Sequence, residues 1–327
     1  MTTVPRPVWR PDLRRLLGDN PAIVLTLVFV ALFLSTDIVN RVQEGEAFLT
    51  FKQVSTTFLF AAVLGLIAAG QTLVMLTGGV DLSVATTATA GAFMISRFGT
   101  HGSTAAIVLA LGVGLGIGLV NGIGVAVFRV NALIMTLGVS TITLGLLTVQ
   151  AQKQFTSLVP EFVVTLGSKR FLTYIPYDLL VWVPIAALII LGLRYSGIGR
   201  MIYAVGDNPV ASRLAGVRVW QVLLVVYALC GLLSAAAGIL LVGFNNAADL
   251  GIGAPFLLPS VAAVVIGGTS IFGGLGGYAG TILGALILTV LDSMLTILNA
   301  SQAERQIIYG LIVLSLAAIY ARATAAE

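Results

Sequence analysis

The sequence predicts an all-α integral membrane protein with about ten transmembrane helices, and two observations carry that prediction. Of 327 residues, 58% are hydrophobic and 9% charged, against about 45–50% apolar in soluble domains; the mean hydropathy is +1.06. Apolar stretches, most of them long enough to cross a bilayer, follow one another from residue 21 to residue 320. A hydrocarbon core about 30 Å thick takes roughly 20 helical residues, and lipid offers no partner to an unpaired backbone group, so each stretch is read as a helix.

The spans fall near residues 21–38, 54–76, 82–95, 104–128, 133–150, 179–193, 221–242, 257–271, 278–291 and 306–320. Residues 21–320 then form one transmembrane domain between an N-terminal tail, 1–20, and a C-terminal tail, 321–327. An even number of spans puts both tails on one side. Arg6, Arg10, Arg14 and Arg15 precede the first span, and basic residues near span ends favour the cytoplasm, so both tails are expected there. The third, eighth and ninth spans are short and flanked by glycine. They read as tilted or broken helices, which tend to surround a transport path because freed backbone groups there meet water or substrate.

Composition excludes several chemistries. Cys230 is the only cysteine and lies in an apolar run, where it reads as a small packed side chain; His101 is the only histidine and lies in a short loop. A cysteine metal cluster, zinc chemistry and a Ser-His-Asp triad are therefore not expected, and neither is a cofactor. The net charge of +4 comes from basic residues scattered over the loops rather than set in a stripe, so nucleic acid is not an expected partner.

Three segments are more specific than hydropathy. The first is Gly70-Gln71-Thr72 with Thr77-Gly78-Gly79-Val80-Asp81-Leu82-Ser83-Val84, at the end of the second span. The second runs from Gly199 and Arg200 through Gly206-Asp207-Asn208-Pro209 to Gly216-Val217. The third is Ile266-Gly267-Gly268-Thr269-Ser270-Ile271-Phe272-Gly273-Gly274, continued by Leu275-Gly276-Gly277. None is a phosphate-binding loop, since Gly-x-x-x-x-Gly-Lys-(Ser/Thr) occurs nowhere. The glycines of the third segment suit close helix packing at a bend, with Thr269 and Ser270 bonding freed backbone groups.

The second segment reads as a short capped helix: Asn208 suits the N-cap, Pro209 the first helical position, residues 210–215 about two turns, and Gly216 the C′ position. By itself this is also compatible with an ordinary connecting loop. Asp81, at a span edge, has two readings. Its carboxylate caps the next helix, or it faces the transport path, where intramembrane ionisable groups are functional candidates. The polar residues nearest the apolar spans, Gln71, Asn121, Thr136, Ser140, Asn245 and Asn246, are candidates for the same path. Each is equally suited to an interhelical hydrogen bond, worth about 0.6–2 kcal/mol in membranes.

In this order and among ten spans, the three segments resemble the membrane permease subunits of bacterial sugar ABC importers, the ribose, xylose and galactose permease family. The resemblance runs from about the second span to the last. The first segment is similar to that family's Gly-Gly-(Ile/Val)-Asp-Leu-Ser signature and the third to its Gly-Gly-Thr-Ser stretch. Ala85 stands where glycine commonly follows, and Asn131-Ala132-Leu133 replaces the commoner Pro-Phe-Ile before Thr136.

The resemblance implies a fold like that of the cobalamin importer's membrane subunit, with no ATPase activity in this chain. It makes the second segment the coupling helix that docks on the ATPase, with Arg200, Asn208, Pro209, Ala211, Arg213, Leu214 and Gly216 in that role. The implied partners are an ATP-binding cassette subunit, a second permease chain, identical or homologous, and a periplasmic or lipid-anchored sugar-binding protein at the bacterial inner membrane. The alternatives are an ABC permease for branched-chain amino acids or nucleosides, or an ion-coupled secondary transporter. Ion coupling calls for midplane carboxylates, whereas Asp37, Asp81 and Asp292 fall near predicted span ends.

Overall fold

The computed structural model describes residues 21–152, 158–171 and 175–325. The arginine-bearing tail 1–20 lies outside them. The chain forms helices α1 (Pro21–Gln43), α2 (Phe51–Leu76), α3 (Val84–Phe98), α4 (Ser103–Ala126), α5 (Ala132–Ala151), α6 (Glu161–Ser168), α7 (Tyr177–Tyr195), α8 (Gly197–Asp207), α9 (Pro209–Leu214), α10 (Val219–Asn245), α11 (Leu257–Ile266), α12 (Tyr278–Ile297) and α13 (Gln302–Ala325). A two-residue antiparallel hairpin, β1 (Arg170–Phe171) with β2 (Ile175–Pro176), closes the loop before α7.

Among the described residues, α1, α2, α4, α5, α7, α10 and α12 are long and apolar enough to cross a membrane. The molecule is an all-α multi-pass membrane protein. Two expected spans are too short to cross as helices alone. α3 has 15 residues and α11 has ten, about 22 and 15 Å at 1.5 Å per residue, which falls short of a 30 Å core. α11 ends at Ile266 rather than at 271 because Gly268 turns left-handed (φ 85°) and the amides of Gly268 and Thr269 bond back to Val265 and Val264 at 3.0 and 3.1 Å. These are the two bonds of a Schellman motif. The ninth span is full length after all, with 20 residues in α12.

α2 is the central element, buried over 94% of its apolar window, whereas α1 is buried over only 11% of its own. α10 packs most extensively on α4, then on α3 and α2. Small residues permit that approach: a Cβ on Gly231 of α10 would collide with the carbonyl of Gly114 in α4, so the two backbones are in direct contact, as expected where packing rather than hydrophobicity drives association. Polar bonds pin the remaining layers to α2. Trp182 Nε1 of α7 donates to the Tyr278 hydroxyl of α12 at 2.7 Å, and that hydroxyl donates to the Gly65 carbonyl of α2 at 2.8 Å. Thr72 and Thr281 share a 2.9 Å bond between α2 and α12.

Candidate functional site

The three sequence segments converge at one end of the bundle. α2 ends as α11 does: Gly78 is left-handed (φ 79°), and the amides of Gly78 and Gly79 return to Met75 and Val74 at 2.9 and 3.2 Å. Two Schellman turns thus stop two helices. Leu76 still has a free carbonyl, and the Gly274 amide donates to it at 3.0 Å. The carbonyl of Phe272 lies against the face of Gly78, where a Cβ would stand 3.2 Å from it.

The second segment closes on this joint. Gly206, in the last turn of α8, lies against the Leu76 carbonyl and the Gly274 amide so closely that a Cβ there would overlap both. Tyr203 donates its hydroxyl to the Gly276 carbonyl at 2.9 Å, and burial raises its phenol pKa, so it stays a neutral donor. One residue beyond Asp207 the chain enters α9. Asn208 caps it, its Oδ1 accepting the amides of Val210 and Ala211 at 3.0 and 2.9 Å, and Pro209 takes the first helical position. Gly216 (φ 87°) ends the helix with a third Schellman pair, Gly216 to Arg213 at 3.0 Å and Val217 to Ser212 at 2.9 Å. Ser212 faces inward and is buried, while Leu214 is 86% and Val210 61% exposed. Arg200, Ala211 and Arg213 are also exposed. α9 therefore presents an apolar, cationic outer face from a mount that is fixed to the end of α2 and to the loop that follows α11.

Asp81 lies just behind the joint, 1% exposed. Its Oδ1 accepts the Ser83 amide at 2.8 Å and the Ser83 hydroxyl at 2.6 Å. Asp81 is therefore not the N-cap of α3. That position belongs to Ser83, and the carboxylate instead closes the turn leading into it. Asn121 of α4 donates its Nδ2 to the same Ser83 hydroxyl at 2.8 Å, so Asn121, Ser83 and Asp81 form a directed chain. Thr136 of α5 accepts the Leu82 amide at 3.0 Å, and Ser140 bonds Thr86 at 2.6 Å. Three of the path candidates, Asn121, Thr136 and Ser140, thus bond residues 82–86, beside the fourth, Asp81. Among the described residues, no group of three or more His, Cys, Asp or Glu is placed to hold a metal.

The family described as "Branched-chain amino acid transport system / permease component" matches residues 53–317, a range containing all three converging segments. The chain belongs to this permease family. It is 34% identical to the ribose import permease of Escherichia coli K12 over 309 residues, 91% of this chain and 92% of that one. It is 32% identical to the fructose import permease of Rhizobium meliloti, covering 94% and 87%. It is 30% identical to an autoinducer 2 import permease of Yersinia enterocolitica, covering 88% and 79%. No solved structure matches it.

In this permease the remaining candidates, Gln71, Asn246 and Asn245, do not join the hydrogen-bonded group around Asp81. Gln71 is fully buried in α2, and neither amide atom has a hydrogen-bond partner. Asn246 ends α10 in the left-handed conformation (φ 54°), which asparagine tolerates. Asn245 lines a cavity at the opposite end of the bundle. Asn131, a departure from the commoner family pattern, caps α5 by accepting the Leu133 amide at 3.0 Å. Sequence reasoning passed over Ser83, Thr86 and Tyr227. Ser83 carries a signal, being part of the Asp-Leu-Ser motif, but Tyr227 carries none. Its hydroxyl is buried without a partner and packs on Gly79, where a Cβ would stand 2.6 Å away. Cys230 is buried where α10 meets Gly70, as a packed side chain should be.

Proposed function

We propose that this permease is the membrane subunit of an ATP-driven importer that carries a monosaccharide across the bacterial inner membrane. The observation that carries the reading is Gly206 seated on the Leu76–Gly274 joint, one residue from the exposed α9. A partner pressing on Val210 and Leu214 pushes on a mount that rests on the end of α2 and is bonded to the glycine loop that follows α11. Exposed apolar side chains on a cationic helix suit a protein partner, and a separate ATP-binding cassette subunit is the one this reading requires. ATP hydrolysis belongs to that subunit.

The sugar assignment draws support from the ribose and fructose import permeases among the relatives. The full reading has ten crossings, with α3, α11 and α13 joining the seven long helices, both termini cytoplasmic, and a fold like that of the cobalamin importer's membrane subunit. A second permease chain completes the pathway, and a periplasmic or lipid-anchored binding protein delivers the sugar. The family's description favours an amino acid as the competing cargo.

Uptake by cells with and without the chain decides between them. Loss of ATP-dependent uptake of one among ribose, fructose, xylose and galactose, restored by a plasmid copy, supports the reading. Loss of leucine or adenosine uptake with every sugar untouched overturns it.

A further inference from the structure

At the end of the bundle opposite the Leu76–Gly274 joint, α2, α10, α11, α12 and α13 enclose a cavity of about 300 Å³. Helix geometry sets its depth: Phe60, in its wall, lies about 24 Å from Leu76 along α2 at 1.5 Å per residue. The lining combines two aromatic faces, Phe60 and Phe256, with the polar side chains of Asn245, Asp292, Gln302, Arg305 and Tyr309. Asp292 Oδ1 accepts from Arg305 Nη1 at 3.1 Å and from the Tyr309 hydroxyl at 2.8 Å. Arg305 Nε is anchored on the Ala300 carbonyl at 3.1 Å. The pair is thus held rigidly across the α12–α13 turn, with its charges matched. The amides of Asn245 and Gln302 are exposed.

We propose that this cavity is a low-affinity site for a neutral polyhydroxylated molecule of monosaccharide size, which rests on the sugar-import reading above. A sugar hydroxyl both donates and accepts, and the wall offers fixed acceptors on Asp292, fixed donors on Arg305, and two amides that supply both. The C–H face of a pyranose or furanose ring is apolar and fits an aromatic surface such as Phe60 or Phe256. A cargo with net charge would unbalance the Asp292–Arg305 pair, whereas a neutral one leaves it intact. The volume is at the lower end of the roughly 300–1,000 Å³ range of small-molecule pockets, which excludes oligosaccharides. Polar contacts that merely replace contacts with water add little net affinity, so the sugar is held briefly and released inward.

The test is saturation-transfer NMR on the full-length permease in lipid nanodiscs, with D-ribose and D-fructose as probes and L-leucine as the zwitterionic control. Asn245→Leu and Gln302→Leu alter exposed side chains and should leave the melting temperature unchanged, while Asp292→Asn tests the ion pair. The expected result is a sugar signal for the wild type that falls at least fivefold in both leucine variants. An unchanged sugar signal in both, or a leucine signal that they abolish while neither sugar gives one, overturns the site. Cellular uptake separates this from the parent reading: sugar uptake that is unaffected by all three variants sinks the site alone, and a wild type that transports no sugar sinks both.

Discussion

The Gly274 amide donates to the Leu76 carbonyl at 3.0 Å, so the last turn of α2 is hydrogen-bonded to the glycine loop that follows α11, nearly two hundred residues on in sequence. Gly206 covers that bond, and with it the second of the three sequence segments meets the first and the third at one point. Gly206 of α8 therefore touches the end of α2 and the loop after α11 directly, with no side chain between them.

Gly206→Val should therefore break transport without removing the partner's docking surface. The added side chain overlaps backbone atoms of Leu76 and Gly274, and overpacking of this kind costs about 1–3 kcal/mol. The expected outcome is a lowered melting temperature together with lost uptake, while the ATPase subunit still co-purifies. Normal uptake in the valine variant would show that the joint carries no motion.

Leu214 and Ala211 test the docking surface itself. Leu214→Glu and Ala211→Glu place charge on the exposed side of α9, where Leu214 is 86% exposed, so thermal unfolding of the isolated permease should not change. Co-purification with the ATPase subunit and uptake in proteoliposomes should both fall. A variant that binds the ATPase and transports like wild type would reduce α9 to a connecting loop.

Asp81, Ser83 and Asn121 form a chain whose links can be removed one at a time. Asp81→Asn keeps an acceptor for the Ser83 amide, whereas Asp81→Ala leaves the Ser83 amide and hydroxyl without that partner, at about 1–3 kcal/mol for an unsatisfied buried group. Ala should lower the melting temperature more than Asn. If the asparagine variant folds like wild type but does not transport, the negative charge itself serves the path. Equal stability and uptake in all three proteins would leave Asp81 with neither role.

Topology is checked with single cysteines in a Cys230→Ala background. Labels at Thr3 and Ala325 should react only from the cytoplasm, and a label at Leu298, in the α12–α13 turn, only from outside. Reaction of either tail from the outer face would overturn the ten-crossing arrangement.

Hydropathy alone determined that the chain is an α-helical membrane protein and where its long spans lie, because a bilayer forces every apolar stretch of sufficient length to satisfy its own backbone. The local pattern Asn-Pro…Gly likewise determined α9, since caps are short-range chemistry between residues two to five apart. What the sequence could not determine was anything resting on contacts between distant segments. It marked both Asp81 and Gln71 as polar residues near a span, yet only the fold brought Asn121 of α4 onto the Ser83 that Asp81 holds, and left Gln71 with no partner. Tyr227 looks like any aromatic in an apolar helix until α10 sets its hydroxyl on Gly79. Flanking glycines marked α3 and α11 as short, but they marked α12 as well, which is full length. That the end of α2 meets the glycine loop after α11, beneath Gly206, was not legible, because a glycine in sequence records only that a backbone approaches closely there, and the tertiary structure decides which one.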